Sequence, residues 1–556
     1  NKAALTVNNG VTPSNKVENE PPVIKPSKQD TQKDPTISID GKTALLGDKV
    51  YYRVNIDASR LTDTAYKVWR LGMTDDYDQE YLTLDAKHVE ILDETGRDRT
   101  GEFNIQDKDG VLYAFARTVD TQIPATGETV PGDPQPDDLK AYSEKTDKDY
   151  DPLKDPSIDQ SLLGHTYQVV MPMTVTKVKD GHTVENTATQ VTNDKRDKTN
   201  TVTNPLKEIN PKKDVTVQVG GDSIDGKSVY LNHTFLYRLD SSILPPDRAY
   251  QTVTDWGGTD QLATEYDQYL GNWAVYASRD LYRDGQVLAA RGEKIAGSGF
   301  DSSKFGGNLF TVDADDNGKV TADATQTYLD LVSADNEHEA GWVLYLQCKR
   351  IAVADEVPNT WTETINGQPR ESNKVVTKTP DMTPSIHLEK VDTPTLKQDG
   401  QEQADRDDPK QALKMDADSI GITFIITNTS KTDPATGDGA WFKASDLNLS
   451  DSTIVGDAHV DMDSLTYPAD WDTLVLKPGE SVSVTGTLKG FKEGETHTDR
   501  AIVTGTPLVE CAPSNGDPFN DKTDGGEDTD PEYSTGDVTE IDGKQLCADT
   551  QTASNT

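Results

Sequence analysis

The chain reads Ser-Ile-Asp-Gly-Lys at residues 38–42 and repeats the same five residues at 223–227. A strand-like run follows each copy in the same register, at 50–54 and at 235–239. Lysines keep this register too, because Lys28 precedes the first copy and Lys213 precedes the second. The sequence therefore predicts a tandem array of similar domains.

Length and charge narrow the class of protein. A chain of 556 residues is too long for one core and favours three or four domains of ordinary size. The net charge of −41 excludes a phosphate-backbone partner, so we expect no nucleic acid. No run of residues is long and uncharged enough for a membrane span, so we expect no membrane insertion in this segment.

Alternating polar and apolar runs predict the fold class. Runs such as 167–170, 273–276 and 423–426 have the period of half-buried strands and are separated by Asp-Gly and Asn-Gly turns. We predict an all-β chain of three tandem immunoglobulin-like β-sandwich domains in an elongated array. Proline-flanked connectors near 204–211 and 379–384 set the boundaries. The predicted units are a linker at 1–20, domain 1 at 21–205, domain 2 at 206–383, and domain 3 at 384–556 with an acidic insertion at 512–545.

Each repeat carries a lysine near its first strand, a carboxylic acid in the middle and an amide near its end. Burial lowers the pKa of a lysine and raises that of a neighbouring acid, which can then hold the amide oxygen while the amine attacks. The pattern predicts a self-made crosslink that forms once, so we expect no enzyme turnover. The predicted sets are Lys28, Asp75 and Asn186 in domain 1, Lys213, Asp255 and Asn359 in domain 2, and Lys390, Asp451 and Asp499 in domain 3.

The amide partner has alternatives. Asn200 follows Asn186 at the same spacing as Asn373 follows Asn359, and Asn555 is the corresponding candidate in domain 3. The earlier pair is preferred because residues 499–501 match the context of residues 186–188. The competing interpretation is that the lysines are solvated and that the aspartates stabilise turns.

Two other kinds of site are suggested by spacing. Asp313, Asp315 and Asn317 have the oxygen spacing of the first half of a calcium loop, although Ala324 stands where such a loop has glutamate, and a polar β-turn is the alternative. Cys511 and Cys547 flank the acidic insertion and could close it as a disulfide in an oxidising compartment.

Several segments resemble a known family. Residues 75–79, 204–215, 266–271 and 372–377 are similar to the C-terminal domains of the antigen I/II family of streptococcal cell-wall-anchored adhesins, and residues 386–503 resemble immunoglobulin-like repeats of Gram-positive surface proteins. The resemblance implies reversed-immunoglobulin sandwiches closed by Lys–Asn isopeptide bonds, and calcium at Asp76 and Asp78. It also implies an extracellular, wall-anchored location, with the anchor outside this segment. Asp499 departs from the pattern and would make a Lys–Asp bond or none.

These observations predict the stalk of a cell-surface adhesin that projects a binding head. The expected partners are a host or bacterial surface protein or glycan, and the chain is expected to be a monomer. The alternative is a set of binding modules in which Trp256, Trp273 and Trp441 form a glycan platform. A hydrolytic surface enzyme would instead need one deep pocket with a perturbed acid pair.

Overall fold

The fold is taken from a computed structural model. It describes residues 2–18, 20, 22–64, 67–123, 126–133, 137–392, 410, 414, 417–512, 518–519, 538–549 and 552–556. Most of the predicted acidic insertion, and Pro21 at the predicted start of domain 1, lie outside the described residues. Residues 1–20 were predicted to be a linker, but they contain a hairpin of β1 (Ala4–Val7) and β2 (Gly10–Pro13), all of whose residues are exposed.

Domain 1 is a sandwich of two five-stranded sheets. Their orders are β3-β4-β14-β6, with β7 also on β14, and β17-β16-β5-β9-β8. Its elements are β3 (Ser27–Thr31), β4 (Lys49–Asp57), β5 (Leu71–Asp76), β6 (Leu82–Leu84), β7 (Glu90–Asp93), β8 (Phe103–Lys108), β9 (Val111–Ala116), β10 (Thr118–Val119), β11 (Thr121–Gln122), β12 (Thr129–Val130), α1 (Leu139–Glu144), β13 (Ser157–Ile158), β14 (Thr166–Val175), β15 (Thr183–Asn186), β16 (Ala188–Thr192), β17 (Lys195–Lys198) and β18 (Val202–Pro205).

Domain 2 repeats this plan. Its sheets have the orders β19-β20-β28-β22-β25 and β26-β27-β21-β30-β31. Its elements are β19 (Lys212–Thr216), β20 (Thr234–Asp240), β21 (Trp256–Gln261), β22 (Asp267–Ala277), β23 (Leu281–Arg283), β24 (Gln286–Ala289), β25 (Lys294–Gly297), β26 (Phe310–Ala314), β27 (Lys319–Ala324), α2 (Gln326–Ala334), β28 (Trp342–Arg350), β29 (Ala354–Asn359), β30 (Trp361–Ile365), β31 (Gln368–Glu371) and β32 (Val375–Thr379).

Domain 3 is a smaller sandwich. It packs the sheet β33-β34-β39-β37 against the sheet β36-β40-β44, and β41-β43-β42 form a separate small sheet. Its strands are β33 (Ile386–Asp392), β34 (Ser419–Asn428), β35 (Phe442–Lys443), β36 (Asn448–Val455), β37 (His459–Thr466), β38 (Val475–Leu476), β39 (Ser481–Lys489), β40 (Thr498–Gly505), β41 (Leu508–Glu510), β42 (Thr539–Ile541), β43 (Lys544–Ala548) and β44 (Ala553–Asn555). The structure is thus all-β apart from short helices, as predicted.

The period of two decides which side chains enter each core. In β4, the apolar residues Val50, Tyr52, Val54 and Ile56 alternate along the strand and are all buried, as a strand with one face on a core requires. Arg53, on the other face, is buried as well. Three large clusters of buried apolar residues result, one centred in each domain. Residues 137–150 contribute α1 and cover the outer face of domain 1 around Trp69.

Both joints between domains combine apolar and polar contacts. At the first joint, Leu45 of domain 1 packs into the core of domain 2, and Ala249 of domain 2 packs into the core of domain 1. The backbone also pairs there, because Ala249 N donates to Thr43 O at 2.7 Å. At the second joint the contacts include polar ones, such as Ser228 Oγ donating to Asp433 Oδ2 at 2.9 Å.

Candidate crosslinking sites

The first site lies between the sheets of domain 1. Lys28, on the edge strand β3, pairs with Asp75 on β5 of the opposite sheet, and neither side chain is exposed. Burial lowers the pKa of Lys28, while the Asp75 charge and hydrogen bond oppose that shift. The Lys28 ammonium also lies 4.6 Å from the centre of the Tyr52 ring. A lysine held in these surroundings gives up its proton far more readily than one in water.

Asn186 lies on the same side of the strands as this pair. Asp75 pairs across the sheet with Ala188, and Asn186 is two residues earlier, so the side chains of Asp75 and Asn186 are diagonal neighbours, on the order of 7 Å apart. Asn186 is buried, and within the described part of the chain neither its Nδ2 nor its Oδ1 makes a hydrogen bond of standard geometry, although the Tyr52 hydroxyl approaches it. A buried, poorly satisfied amide beside a desolvated amine is suited to reaction.

The site in domain 2 has the same geometry but a different acid. Lys213, on the edge strand β19, pairs with Asp260 on β21, and both are fully buried. Burial lowers the pKa of Lys213, with Asp260 opposing. Asp260 pairs across the sheet with Trp361, and Asn359 is again two residues before that partner. Lys28 and Asp75 are 47 residues apart, and so are Lys213 and Asp260.

The structure therefore corrects Asp255 to Asp260. Asp255 precedes β21, and its Oδ1 accepts a hydrogen bond from Gly367 N at 3.1 Å, so it stabilises the turn between β30 and β31. Asp255 lies five residues from Asp260 along an extended chain, which corresponds to about 16 Å. The signal that identifies Asp260 is the offset between the two repeats, which takes Lys28 to Lys213 and Asp75 to Asp260, not to Asp255.

The alternative amides hold the lysine strands. Asn200 Oδ1 accepts from Lys28 N at 2.9 Å, and Asn200 Nδ2 donates to Lys28 O at 2.9 Å. Asn373 makes the same two bonds, at the same lengths, with the backbone of Lys213. Asn555 Oδ1 accepts from Leu388 N at 3.0 Å. These three asparagines bind main chain, so the structure favours Asn186 and Asn359 as the reactive amides.

Domain 3 brings its three predicted residues together. Lys390 Nζ lies 2.7 Å from Asp451 Oδ2 and also contacts Asp499 Oδ2. Asp451 pairs across the sheet with Ala501, and Asp499 is two residues earlier, so Asp499 occupies the position of Asn186 and Asn359. Burial raises the pKa of Asp451, while Lys390 opposes that shift.

Domain 3 differs from the other sites in two respects. The Lys390 side chain keeps 20% of its surface exposed, whereas those of Lys28 and Lys213 keep none. His497, which the sequence analysis did not select, has its Nε2 3.0 Å from Asp499 Oδ2. The sequence points to His497 only through its position two residues before Asp499, which places both side chains on the same face of the strand.

The structure joins the two cysteines that flank the acidic insertion and leaves the third as a free thiol. Cys511 and Cys547 form a disulfide with a Cα–Cα distance of 4.9 Å. Cys348 is a buried free thiol in β28, and burial raises its pKa. The disulfide closes the acidic insertion at its base.

The calcium candidates have other contacts. Asp315 Oδ1 accepts from the backbone N–H groups of Asn317 and Lys319 at 2.9 Å, which is an ordinary turn between β26 and β27, and Asp313 is exposed on β26. His182 Nε2 lies 3.1 Å from Asp78 Oδ2, and Asp76 is exposed. Within the described residues, no three His, Cys, Asp or Glu side chains are grouped to hold a metal ion. Calcium stays a prediction.

The three tryptophans of the glycan-platform alternative contribute to cores. Trp256 is buried in domain 2 among Tyr328 and Trp342. Trp273 packs in part against the same core, and Trp441 is buried in a small cluster with Leu508. None of them is an exposed ring on a groove.

None of the described helices is both long and apolar enough to cross a bilayer.

Comparison with known proteins identifies the family of the first two domains. Residues 26–206 match the model of the cell surface antigen I/II C2 terminal domain, and residues 210–380 match that of the cell surface antigen C-terminus. These two domains belong to the antigen I/II family. The two models describe cell-surface antigens, so this antigen I/II chain is part of an extracellular cell-surface protein.

Relatives of this antigen I/II chain include larger proteins. It is 30% identical over 324 residues to an aggregation substance of Enterococcus faecalis, a match covering 57% of this chain and 21% of that protein. The matching region therefore spans about a fifth of the relative's length. The C-terminal domain of the Streptococcus pyogenes antigen I/II-family protein AspA is 22% identical with a TM-score of 0.48, and covers 64% of this chain and 99% of its own. The corresponding domain of BspA from Streptococcus agalactiae is 18% identical with a TM-score of 0.46 and the same coverages.

Proposed function

We propose that the chain is the stalk region of a cell-surface adhesin, in which each sandwich is closed by one isopeptide bond between its first and last parts. The observation that supports this proposal is the register that recurs three times. In each domain a lysine on an edge strand contacts an aspartate of the opposite sheet, and an amide or acid lies two residues before the cross-strand partner of that aspartate.

The chemistry in domains 1 and 2 needs no external reagent. The proton of the Lys28 ammonium passes to the Asp75 carboxylate, which leaves a neutral amine and a neutral acid in a dry site. The amine attacks the Asn186 carbonyl carbon while the acid donates a hydrogen bond to the carbonyl oxygen. The carbon–nitrogen bond of the amide breaks, ammonia leaves, and an amide joins Lys28 to Asn186. Lys213, Asp260 and Asn359 react in the same way in domain 2.

The mechanical consequence follows from where the crosslink attaches. Lys28 lies near the start of domain 1 and Asn186 near its end, so nearly the whole domain lies between the two ends of the bond. Tension that enters at β3 then passes directly to β15 and does not load the strands between them. Such domains suit a stalk that holds a binding head away from the cell wall, with contacts of its own to host or bacterial proteins or glycans.

Intact mass of the purified chain tests the crosslinks. After reduction of the disulfide, we expect a mass lower than the sequence mass by two ammonia molecules and one water. Peptide mapping should recover the branched peptides joining Lys28 to Asn186, Lys213 to Asn359 and Lys390 to Asp499. A Lys28→Met variant should regain one ammonia, while its domain 2 bond stays as an internal control. A full sequence mass for the unchanged chain would refute the crosslinks.

Single-molecule pulling tests the stalk. If domain 1 is closed covalently, the unchanged chain should give no unfolding step from it, whereas Lys28→Met should release about 550 Å of chain from the segment between Lys28 and Asn186. Equal step patterns for the two proteins would contradict the mechanical proposal even if the masses fit.

A further inference from the structure

Domain 3 differs from domains 1 and 2 at two positions that lie close together. The acceptor is Asp499 where the other domains have Asn186 and Asn359. Two residues before the acceptor, domain 3 has His497, whereas the other domains have Val184 and Val357, both buried. The chain thus places a titratable ring beside the acid acceptor and an apolar side chain beside each amide acceptor.

The contacts place the ring on the reacting carboxyl group. His497 Nε2 and Lys390 Nζ both approach the same oxygen, Asp499 Oδ2, and the Nε2–Oδ2 distance is 3.0 Å. The His497 and Asp499 side chains are 14% and 12% exposed, so both are largely removed from water. The ring is also held edge-on against Phe491, with 5.9 Å between ring centres. The Nε2–Oδ2 distance is short enough for proton transfer, but within the described structure neither ring nitrogen makes a hydrogen bond of standard geometry, so the ring must rotate slightly to align the transfer.

An acid acceptor poses a problem that an amide acceptor does not. A carboxamide is neutral and can be attacked once the lysine has passed its proton to the nearby aspartate. A carboxylate is negatively charged, repels an incoming lone pair and has no leaving group until it is protonated. Condensation of an ammonium with a carboxylate to an amide and water needs no net proton, but Asp499 must be protonated before the amine attacks it. If Asp451 accepts the proton of Lys390, as the equivalent aspartates do in domains 1 and 2, Asp499 must receive its proton from another group.

We propose that His497 is the general acid that protonates Asp499 and so allows a Lys390–Asp499 isopeptide bond to form with loss of water. This inference rests on the crosslinking proposed above and extends it to a residue that domains 1 and 2 do not need. In this role His497 is a catalytic residue, because its ring touches the group that reacts.

The reaction balances with the four side chains of the site. The imidazolium of His497 gives its proton to Asp499 Oδ2, and the Lys390 ammonium gives one proton to the Asp451 carboxylate. The neutral amine attacks Cγ of Asp499 while the Asp451 acid donates a hydrogen bond to the other oxygen. A proton of the attacking nitrogen moves to the protonated Oδ2, the Cγ–Oδ2 bond breaks, and water leaves. The products are the amide, water, neutral His497 and protonated Asp451, so net charge is unchanged.

Reciprocal substitution in the full chain tests the inference. His497→Val gives domain 3 the residue found at this position in the other domains, and we expect formation of the Lys390–Asp499 peptide to slow on the order of 100-fold. Adding Asp499→Asn restores the combination found in domains 1 and 2, so the double variant should crosslink again, with loss of ammonia in place of water. Peptide mapping during incubation of freshly purified protein gives both rates.

Controls separate chemistry from folding. His88→Val removes an exposed histidine that pairs with Asp85 and should leave every crosslink unchanged. Rescue of crosslinking by the double variant would show that His497→Val still folds domain 3. Crosslinking of His497→Val at the unchanged rate, failure of the double variant to crosslink, or a branched peptide at Asp451 would overturn the inference. The inference would also be overturned if, in the unchanged chain, domains 1 and 2 were crosslinked and domain 3 were not. If none of the three domains were crosslinked, the proposed function itself would be refuted.

Discussion

Replacement of Asn186 by leucine gives the most direct measure of what a crosslink contributes. Leucine has the same branching at Cγ as asparagine, keeps the site apolar and leaves the Lys28–Asp75 pair in place. The change therefore removes the electrophile without leaving an unpaired charge in the core, which replacement of either charged residue would do. It also removes a buried amide that has poor hydrogen-bond geometry in the described structure.

The expected loss follows from the length of the closed loop. The loop runs from Lys28 to Asn186, and the chain-entropy relation for a covalent crosslink gives about 5 kcal/mol for a loop of that length. Removing the poorly satisfied amide offsets roughly 1–2 kcal/mol of this. The net loss of about 3–4 kcal/mol corresponds to a fall of roughly 10 °C in the melting temperature of a domain of this size.

Calorimetry with intact mass measures this prediction. Asn186→Leu should regain one ammonia in mass, and only the transition of domain 1 should move, while domain 2 keeps its own bond and its own transition. Asn104→Leu, which changes another buried asparagine of domain 1 outside the site, is the matched control and should keep the crosslink. If Asn186→Leu regains the ammonia but its domain 1 melts at the same temperature as in the unchanged chain, the loop-entropy reasoning is wrong.

Three further predictions follow from the described contacts. Asp260→Asn should abolish the domain 2 crosslink, whereas Asp255→Asn should preserve it. Mapping of the branched peptide measures both, and the reverse result would show that Asp255 is the acid of domain 2. Cys511 and Cys547 are 36 residues apart, so reducing their disulfide should lower the free energy of unfolding of domain 3 by about 4 kcal/mol. Calorimetry with and without a reductant should show a shift in the transition of domain 3 and in no other transition. Burial raises the pKa of Asp30 to about 6, so its contribution to stability is present at low pH and is lost as pH rises through that value. Asp30→Val should therefore stabilise domain 1 increasingly between pH about 4 and about 7, and a constant difference in melting temperature would contradict this.

The sequence predicted the fold class because the period of two and the repeat are properties of the chain itself. Strands β4 and β20 occupy equivalent positions in the two repeats, and in each of them every second residue, beginning with the second, is buried in the domain core. Repetition and alternation together therefore indicate sandwiches. The exposed hairpin β1–β2 was missed because its strands bury nothing, and its turn depends on the left-handed backbone of Asn8 and Asn9.

The sites were predictable in part, since lysine positions follow the repeat offset directly. Asp75 ends the sequence Met-Thr-Asp and Asp255 ends Val-Thr-Asp, and this local similarity points to Asp255. The 185-residue offset that relates Lys28 to Lys213 points from Asp75 to Asp260 instead. The difference between Asn186 and Asn200 could not be read from spacing, because both recur identically. It depends on strand register, which puts one amide between the sheets and the other on the backbone of Lys28.

The reciprocal packing at the first joint has a consequence for how the molecule bends. Flexing domain 1 against domain 2 would draw Leu45 and Ala249 out of opposite cores at once and expose both to water. Domains 1 and 2 should therefore move as one stiff segment when the molecule is pulled by shear flow.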